Sequence, residues 1–125
     1  MKSYKDLEIY KESFDIAVRI YHLSIKLPHP DRFETGGQIR RSSQTIKDTM
    51  VEGYGRRRYK ADFIKFLIYS HSSLLESTSQ SEFLATIHPD TGWNKIALEL
   101  DSLGRKISKF IDYVDKNWKS GPPAT

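Results

Sequence analysis

Residues 93–118, WNKIALELDSLGRKISKFIDYVDKNW, decide the fold class. Trp93, Ile96, Ala97, Leu100, Leu103, Gly104, Ile107, Ile111, Val114 and Trp118 recur at three- and four-residue steps, so they share one face of a helix while the charges fall on the other. His88-Pro89-Asp90-Thr91-Gly92 precedes it as a break, with Asp90 or Thr91 as the expected N-cap. Before that break, the spacing predicts a helix over 60–87 whose stripe of Phe63, Phe66, Leu67, Leu74, Leu84 and Ala85 also carries Ser70, Ser73, Ser77 and Ser81. Such hydroxyls can return their hydrogen bond to the backbone and let helices approach closely. Gly53-Tyr54-Gly55 marks another break. The helix before it starts near Arg32 or Thr35 and is thinly apolar, with Ile39, Ile46 and Met50 beside Ser42, Ser43 and Gly53. Pro28-His29-Pro30-Asp31 separates it from the first helix, about Asp6 to Leu27.

That first helix carries two stripes. One holds Leu7, Tyr10, Phe14, Ala17, Val18, Tyr21 and Ile25; the other holds Ile9, Ile16, Ile20, Leu23 and Leu27. They lie about 140° apart. Either the helix is central in a monomer, or one stripe meets another subunit. A four-helix monomer needs one wide stripe per helix, which favours assembly. The aromatic stripe, with Tyr10, Phe14 and Tyr21, is the expected core face. Ile9, Ile16, Ile20, Leu23 and Leu27 form the expected oligomer interface.

No period-two run competes, so the expectation is an all-α, antiparallel up-down four-helix bundle over residues 1–118, with 119–125 a disordered tail. The chain has 125 residues, enough for one domain, with 38% hydrophobic and 29% charged residues. It has no cysteine, which excludes disulfides and thiolate metal sites. The charged opening, Met1 to Asp6, differs from the apolar core of a signal peptide, and no run of about 18 apolar residues exists. The expected location is the cytoplasm, with no membrane partner.

The net charge is +4, and its distribution is uneven. Residues 36–65 hold eight basic and three acidic side chains, +5, whereas the remainder holds twelve and thirteen, −1. Arg56-Arg57-Arg58-Tyr59-Lys60 is the densest part. Arginine forks suit phosphate and tyrosine can stack on an unpaired base, so Arg40, Arg41, Arg56, Arg57, Arg58, Lys60 and Tyr59 are the candidate nucleic-acid contacts. A solvated loop complementing a helix dipole is the structural reading of the same charges.

Catalytic and cofactor signals are weak. Gly53-Tyr54-Gly55-Arg56-Arg57-Arg58 lacks the third glycine and the preceding strand of a dinucleotide fingerprint. His22, His29, His71 and His88 have no metal-ligand spacing. Ser70-His71-Ser72-Ser73 places neighbours along a helix, where they do not face each other. Glu52 opposes its helix dipole, so an ion pair with Arg56, Arg40 or Arg41 is expected. The residues thus predict no enzyme, no catalytic residue, no metal and no cofactor.

Asp6-Leu7-Glu8-Ile9-Tyr10-Lys11, Gln38-Ile39-Arg40-Arg41, and above all Glu52-Gly53-Tyr54-Gly55-Arg56 followed by Phe63-Ile64-Lys65-Phe66-Leu67 carry a resemblance. Over about residues 4–118 the chain resembles the four-helix-bundle proteins encoded in intervening sequences of bacterial 23S rRNA genes. That resemblance implies a ring-like homopentamer related to the accessory variability determinant proteins of diversity-generating retroelements, which bind nucleic acid and a reverse transcriptase. It adds RNA or DNA, with RNA favoured, and a nucleic-acid-processing protein as expected partners. The family's Ser-Ile-Pro and Asn-Ile-Ala segments read Thr45-Ile46-Lys47 and Thr49-Met50-Val51 here, so the proline and asparagine are missing. The functional expectation is a non-enzymatic, oligomeric nucleic-acid-binding protein. A scaffold docking an acidic protein through the same patch is the alternative.

Overall fold

A computed structural model describes residues 3–119. A 3-10 turn, Tyr4–Asp6, precedes four helices: α1 (Glu8–Ser24), α2 (Thr35–Gly55), α3 (Lys60–Ile87) and α4 (Trp93–Asn117). Short connections make successive helices antiparallel neighbours, and α4 returns against α1 to close an up-down four-helix bundle. The expected tail, 119–125, lies outside the described residues from position 120 onward.

Helix boundaries follow local chemistry. Asp6 does not cap α1: its carboxylate accepts from Ser3 N (3.0 Å) while Ser3 Oγ accepts from Lys5 N (3.1 Å), a capping box for the opening turn. Leu7 then stands at the N-cap of α1 with no side-chain cap bond. Neither Asp90 nor Thr91 caps α4: Gly92, at φ 100°, occupies the N-cap, a left-handed conformation that suits glycine, while Asp90 turns the chain at φ 65° and the Thr91 hydroxyl bonds back to His88 O. Gly53 and Gly55 both lie within α2, so the second break falls at residues 56–59 instead. A Cβ on Gly53 would stand 2.8 Å from Phe66 Cβ of α3, which explains the glycine: α2 and α3 touch there.

The core comprises Ile39, Ile46, Met50 and Tyr54 of α2; Phe63, Leu67, Leu74 and Leu84 of α3; and Trp93, Ile96, Leu100, Leu103, Ile107 and Val114 of α4. From α1 and its flanks it takes Leu7, Ile9, Ile16, Ile20 and Leu27, with Leu23 half-buried against it. The stripes of α1 are therefore reversed over most of their length: of the expected core face Leu7 and Ala17 are buried and Tyr10 packs against the core, but the rest is not. The residues expected at the oligomer interface line the monomer's own core, and Phe14 (48% exposed), Val18, Tyr21 (47%) and Ile25 face out. The physical reason is serine. Ser13 donates to Ile9 O (2.6 Å) and Ser24 to Tyr21 O (2.9 Å), so both behave as small buried side chains. They complete a slim face, Ile9, Ser13, Ile16, Ile20, Ser24, Leu27, that fits the groove between α2 and α4 better than a row of rings.

Serines also join the helices. Ser70 of α3 donates to Ile46 O of α2 (2.5 Å), Ser81 to Trp93 O of α4 (2.7 Å), and Ser42 and Ser77 Oγ lie 2.7 Å apart. Among the described residues no buried side-chain nitrogen or oxygen lacks a partner. The more open α1–α4 seam is spanned by Arg19–Glu99 (2.5 Å) and Lys106–Glu12 (2.6 Å). Burial works against the Arg19 charge, but the bond to Glu99, its field and Asp15 outweigh it and raise the guanidinium pKa.

The two glycines of α2 give a paired test. A Cβ on Gly55 would meet nothing within 4 Å, so Gly55→Ala should stabilise the fold by about 0.5–1 kcal/mol through helix propensity. Gly53→Ala should instead cost about 1–3 kcal/mol, because α3 must retreat. Urea denaturation midpoints of the two variants check the opposite signs.

Candidate nucleic-acid interface

Residues 56–59 form the turn between α2 and α3, at the end of the bundle that also holds the start of α1 and the C-terminus of α4. Three backbone bonds shape it: Arg56 N to Gly53 O (2.9 Å), Arg57 N to Tyr54 O (3.2 Å) and Tyr59 N to Arg56 O (2.9 Å). The first two close the last turn of α2 on its own carbonyls. Trp118, packed edge-on against Phe63, donates Nε1 to Arg57 O (3.2 Å) and ties the end of α4 to the turn.

Side chains hold two of the three arginines. The Arg57 guanidinium lies 4.1 Å from the centre of the Tyr54 ring and donates Nη1 to Tyr54 O (3.0 Å). Arg56 lies over Phe66 at 4.7 Å. Rings beneath a guanidinium restrict its motion without neutralising it. Among the described residues Arg58 has no such ring contact, and Tyr59 is exposed. Nor does any of the three arginines have a carboxylate within ion-pair distance among the described residues. Lys60 is engaged differently: its Nζ donates to Asp115 O (2.9 Å) and lies 4.0 Å from Asp115 Oδ1, bracing α3 against α4.

Arg40 and Arg41 do not join this cluster. Arg40 is sixteen residues from Arg56, about 24 Å along the helix, and clamps the opposite end by donating to Ser24 Oγ (2.8 Å) and Arg32 O (2.9 Å). Arg41 is exposed and lines an open polar groove between α2 and α3 with Gln38, Thr45, Glu76 and Gln80. The expected ion pair of Glu52 is absent among the described residues: the carboxylate lies on the solvent face of α2 while Arg56 turns to Phe66. Ser70 is committed to Ile46 O and His71 Nε2 lies 3.2 Å from Ser108 Oγ, so that run forms no nucleophile–base pair. Among the described residues no three His, Cys, Asp or Glu side chains gather into a metal-sized group, and no helix is long and apolar enough to cross a membrane.

The sequence profile of the 23S rRNA-intervening sequence protein family matches residues 5–109. The chain belongs to that family. Within the intervening-sequence family's match fall all of Arg56, Arg57, Arg58 and Tyr59, whereas Trp118 lies beyond it. Among solved structures, a protein of unknown function from the S23 ribosomal protein family of Bacteroides thetaiotaomicron VPI-5482 is similar at a TM-score of 0.73 and 21% identity, over 83% of this chain and 95% of that one. At that identity the likeness shows the fold. No curated protein matches the chain.

Sequence reasoning missed the rings under the turn. Tyr54 and Arg57 are three apart, a helical neighbour spacing that could have been read; Arg56 on Phe66 crosses from one helix to the next and could not. The contacts predict a graded response. Arg57→Ala should lower stability by about 0.5–1 kcal/mol, and Arg58→Ala should leave it within about 0.5 kcal/mol. Chemical denaturation of both variants measures the difference.

Proposed function

We propose that this chain is a non-enzymatic, homo-oligomeric nucleic-acid-binding protein whose contact surface is the turn Arg56-Arg57-Arg58-Tyr59. One observation carries the reading: three adjacent guanidinium groups at a braced turn have no carboxylate partner among the described residues. Each fork can take a phosphate in two hydrogen bonds, with release of the condensed counterion, and Tyr59 offers an exposed ring to an unstacked base. An unpaired base favours RNA loops or single strands over duplex DNA. Arg40, held by Ser24 and Arg32, serves the fold.

A single turn presents few charges, so affinity depends on several copies acting together. The exposed α1 stripe of Phe14, Val18, Tyr21 and Ile25 supports assembly, and the family resemblance supports five subunits. A cytoplasmic setting and a nucleic-acid-processing partner belong to the same reading.

Fluorescence anisotropy with matched single-stranded RNA and DNA tests it. Binding should weaken steeply as salt rises, and Arg56→Ala, Arg57→Ala and Arg58→Ala combined should reduce affinity at least tenfold. Arg40→Ala should change stability more than affinity. An acidic protein docking on the same arginines predicts no affinity for either nucleic acid at low salt, and that result would overturn the proposal.

A further inference from the structure

The outer face of α3 also carries exposed apolar side chains. Ile68, Leu75 (57% exposed) and Phe83 (52% exposed) stand along it, with exposed Ser72 and Ser79 between them. Neither face has a partner among the described residues, and α1 and α3 make no contact with each other, since α2 and α4 lie between them. They are diagonal helices, and because the outer stripe of α1 stands about 140° from that helix's core face, the two outer faces lie on different sides of the bundle without being diametrically opposed, which leaves a rotation between successive copies. From these two faces we infer a head-to-tail interface, in which the α1 stripe of one copy packs on the outer face of α3 in the next. The inference rests on the proposed reading of the chain as a homo-oligomer and names the surfaces that make it.

Three features of the molecule support this occupant. The first is spacing. Phe14, Val18, Tyr21 and Ile25 step by four, three and four residues, and so do Ile68, Ser72, Leu75 and Ser79. One face is all large, and the other alternates large with small, so the α3 serines leave recesses for α1 side chains.

The second is height. Arg40 of α2 bonds Ser24 of α1, and two residues later Ser42 meets Ser77 of α3. Ser24 therefore stands about level with residues 77–80, Tyr21 with Leu75 and Phe14 with Ile68, to within about a turn. In an up-down bundle α1 and α3 run in the same direction. A cyclic ring allows no shift along its axis, so it brings equal heights of α1 and α3 together in parallel.

The third is charge. Lys26 flanks the α1 stripe and Glu82 flanks that of α3 at about the same height; both are exposed and neither has an ion pair among the described residues. A two-fold α1-on-α1 dimer would leave α3 bare. The head-to-tail contact covers both faces and closes a ring. Such a ring gathers every copy's Arg56–Arg58 turn on one rim, because all the bundles point the same way.

A mixing experiment tests the pairing. Tyr21→Glu removes the α1 face and Leu75→Glu removes the α3 face; both sites are exposed, and circular dichroism checks that each variant stays folded. Size-exclusion chromatography with light scattering should show an oligomer for the natural chain and a monomer for each variant alone. The two variants mixed should give a one-to-one heterodimer and nothing larger, because only one intact pair of faces remains. An assembled Leu75→Glu variant, or a mixture that stays monomeric, would overturn the head-to-tail pairing while leaving the oligomeric reading standing. A natural chain that is monomeric at micromolar concentration would overturn both.

Discussion

A buried hydroxyl must find an acceptor, and in this bundle that requirement governs how closely the helices come. Seven serines are buried among the described residues, and each reaches an acceptor, either a carbonyl or another side-chain oxygen. Satisfied in this way, serine has the volume of a small apolar residue, and with Gly53 it lets α2 and α3 pack in close contact. An unsatisfied hydroxyl at the same positions would cost about 1–3 kcal/mol.

The consequence reaches the surface. Where buried serines and Gly53 bring the helices close, the rings of Tyr54, Phe63 and Trp93 and the leucines of α3 and α4 already fill the interior, and it has no room for a further row of rings from α1. Phe14 and Tyr21 of α1, and Leu75 and Phe83 of α3, are accordingly left outside. The same close α2–α3 packing sets the geometry of the turn that joins them, placing Arg56 over Phe66 and Arg57 over Tyr54. Packing inside the bundle thus produces both the apolar outer faces and the braced arginine turn. The two parts of the functional proposal share this origin.

Much of the fold was legible in the chain. The helix over 60–87 has the predicted bounds, and the clean stripe of α4 is the one that is buried. Two differences share one cause: what serine and glycine do depends on their setting, which residue type alone does not encode. Ser13 and Ser24 extend the isoleucine stripe of α1, because a hydroxyl bonded to its own helix backbone packs as a small side chain, which a pattern of apolar residues does not register. Gly53 and Gly55 looked like a break, yet Gly53 is where the helices touch. Of the candidate site, only the run Arg56–Tyr59 was legible, because it is contiguous. That Arg40 clamps the far end and Lys60 braces α4 depends on partners far away in sequence, Ser24 and Asp115, which no local pattern encodes.

Which stripe of α1 stays free once the monomer has folded decides whether its outer face can carry an assembly. Hydroxyl-radical footprinting of the folded protein across a dilution series measures this directly. Phe14 and Tyr21 should be protected at high concentration and become reactive as the assembly dissociates, while Ile16 and Ile20 stay protected throughout. Reactivity gained at Ile16 and Ile20 in a protein that remains helical would contradict the account, as would Phe14 and Tyr21 equally reactive at every concentration.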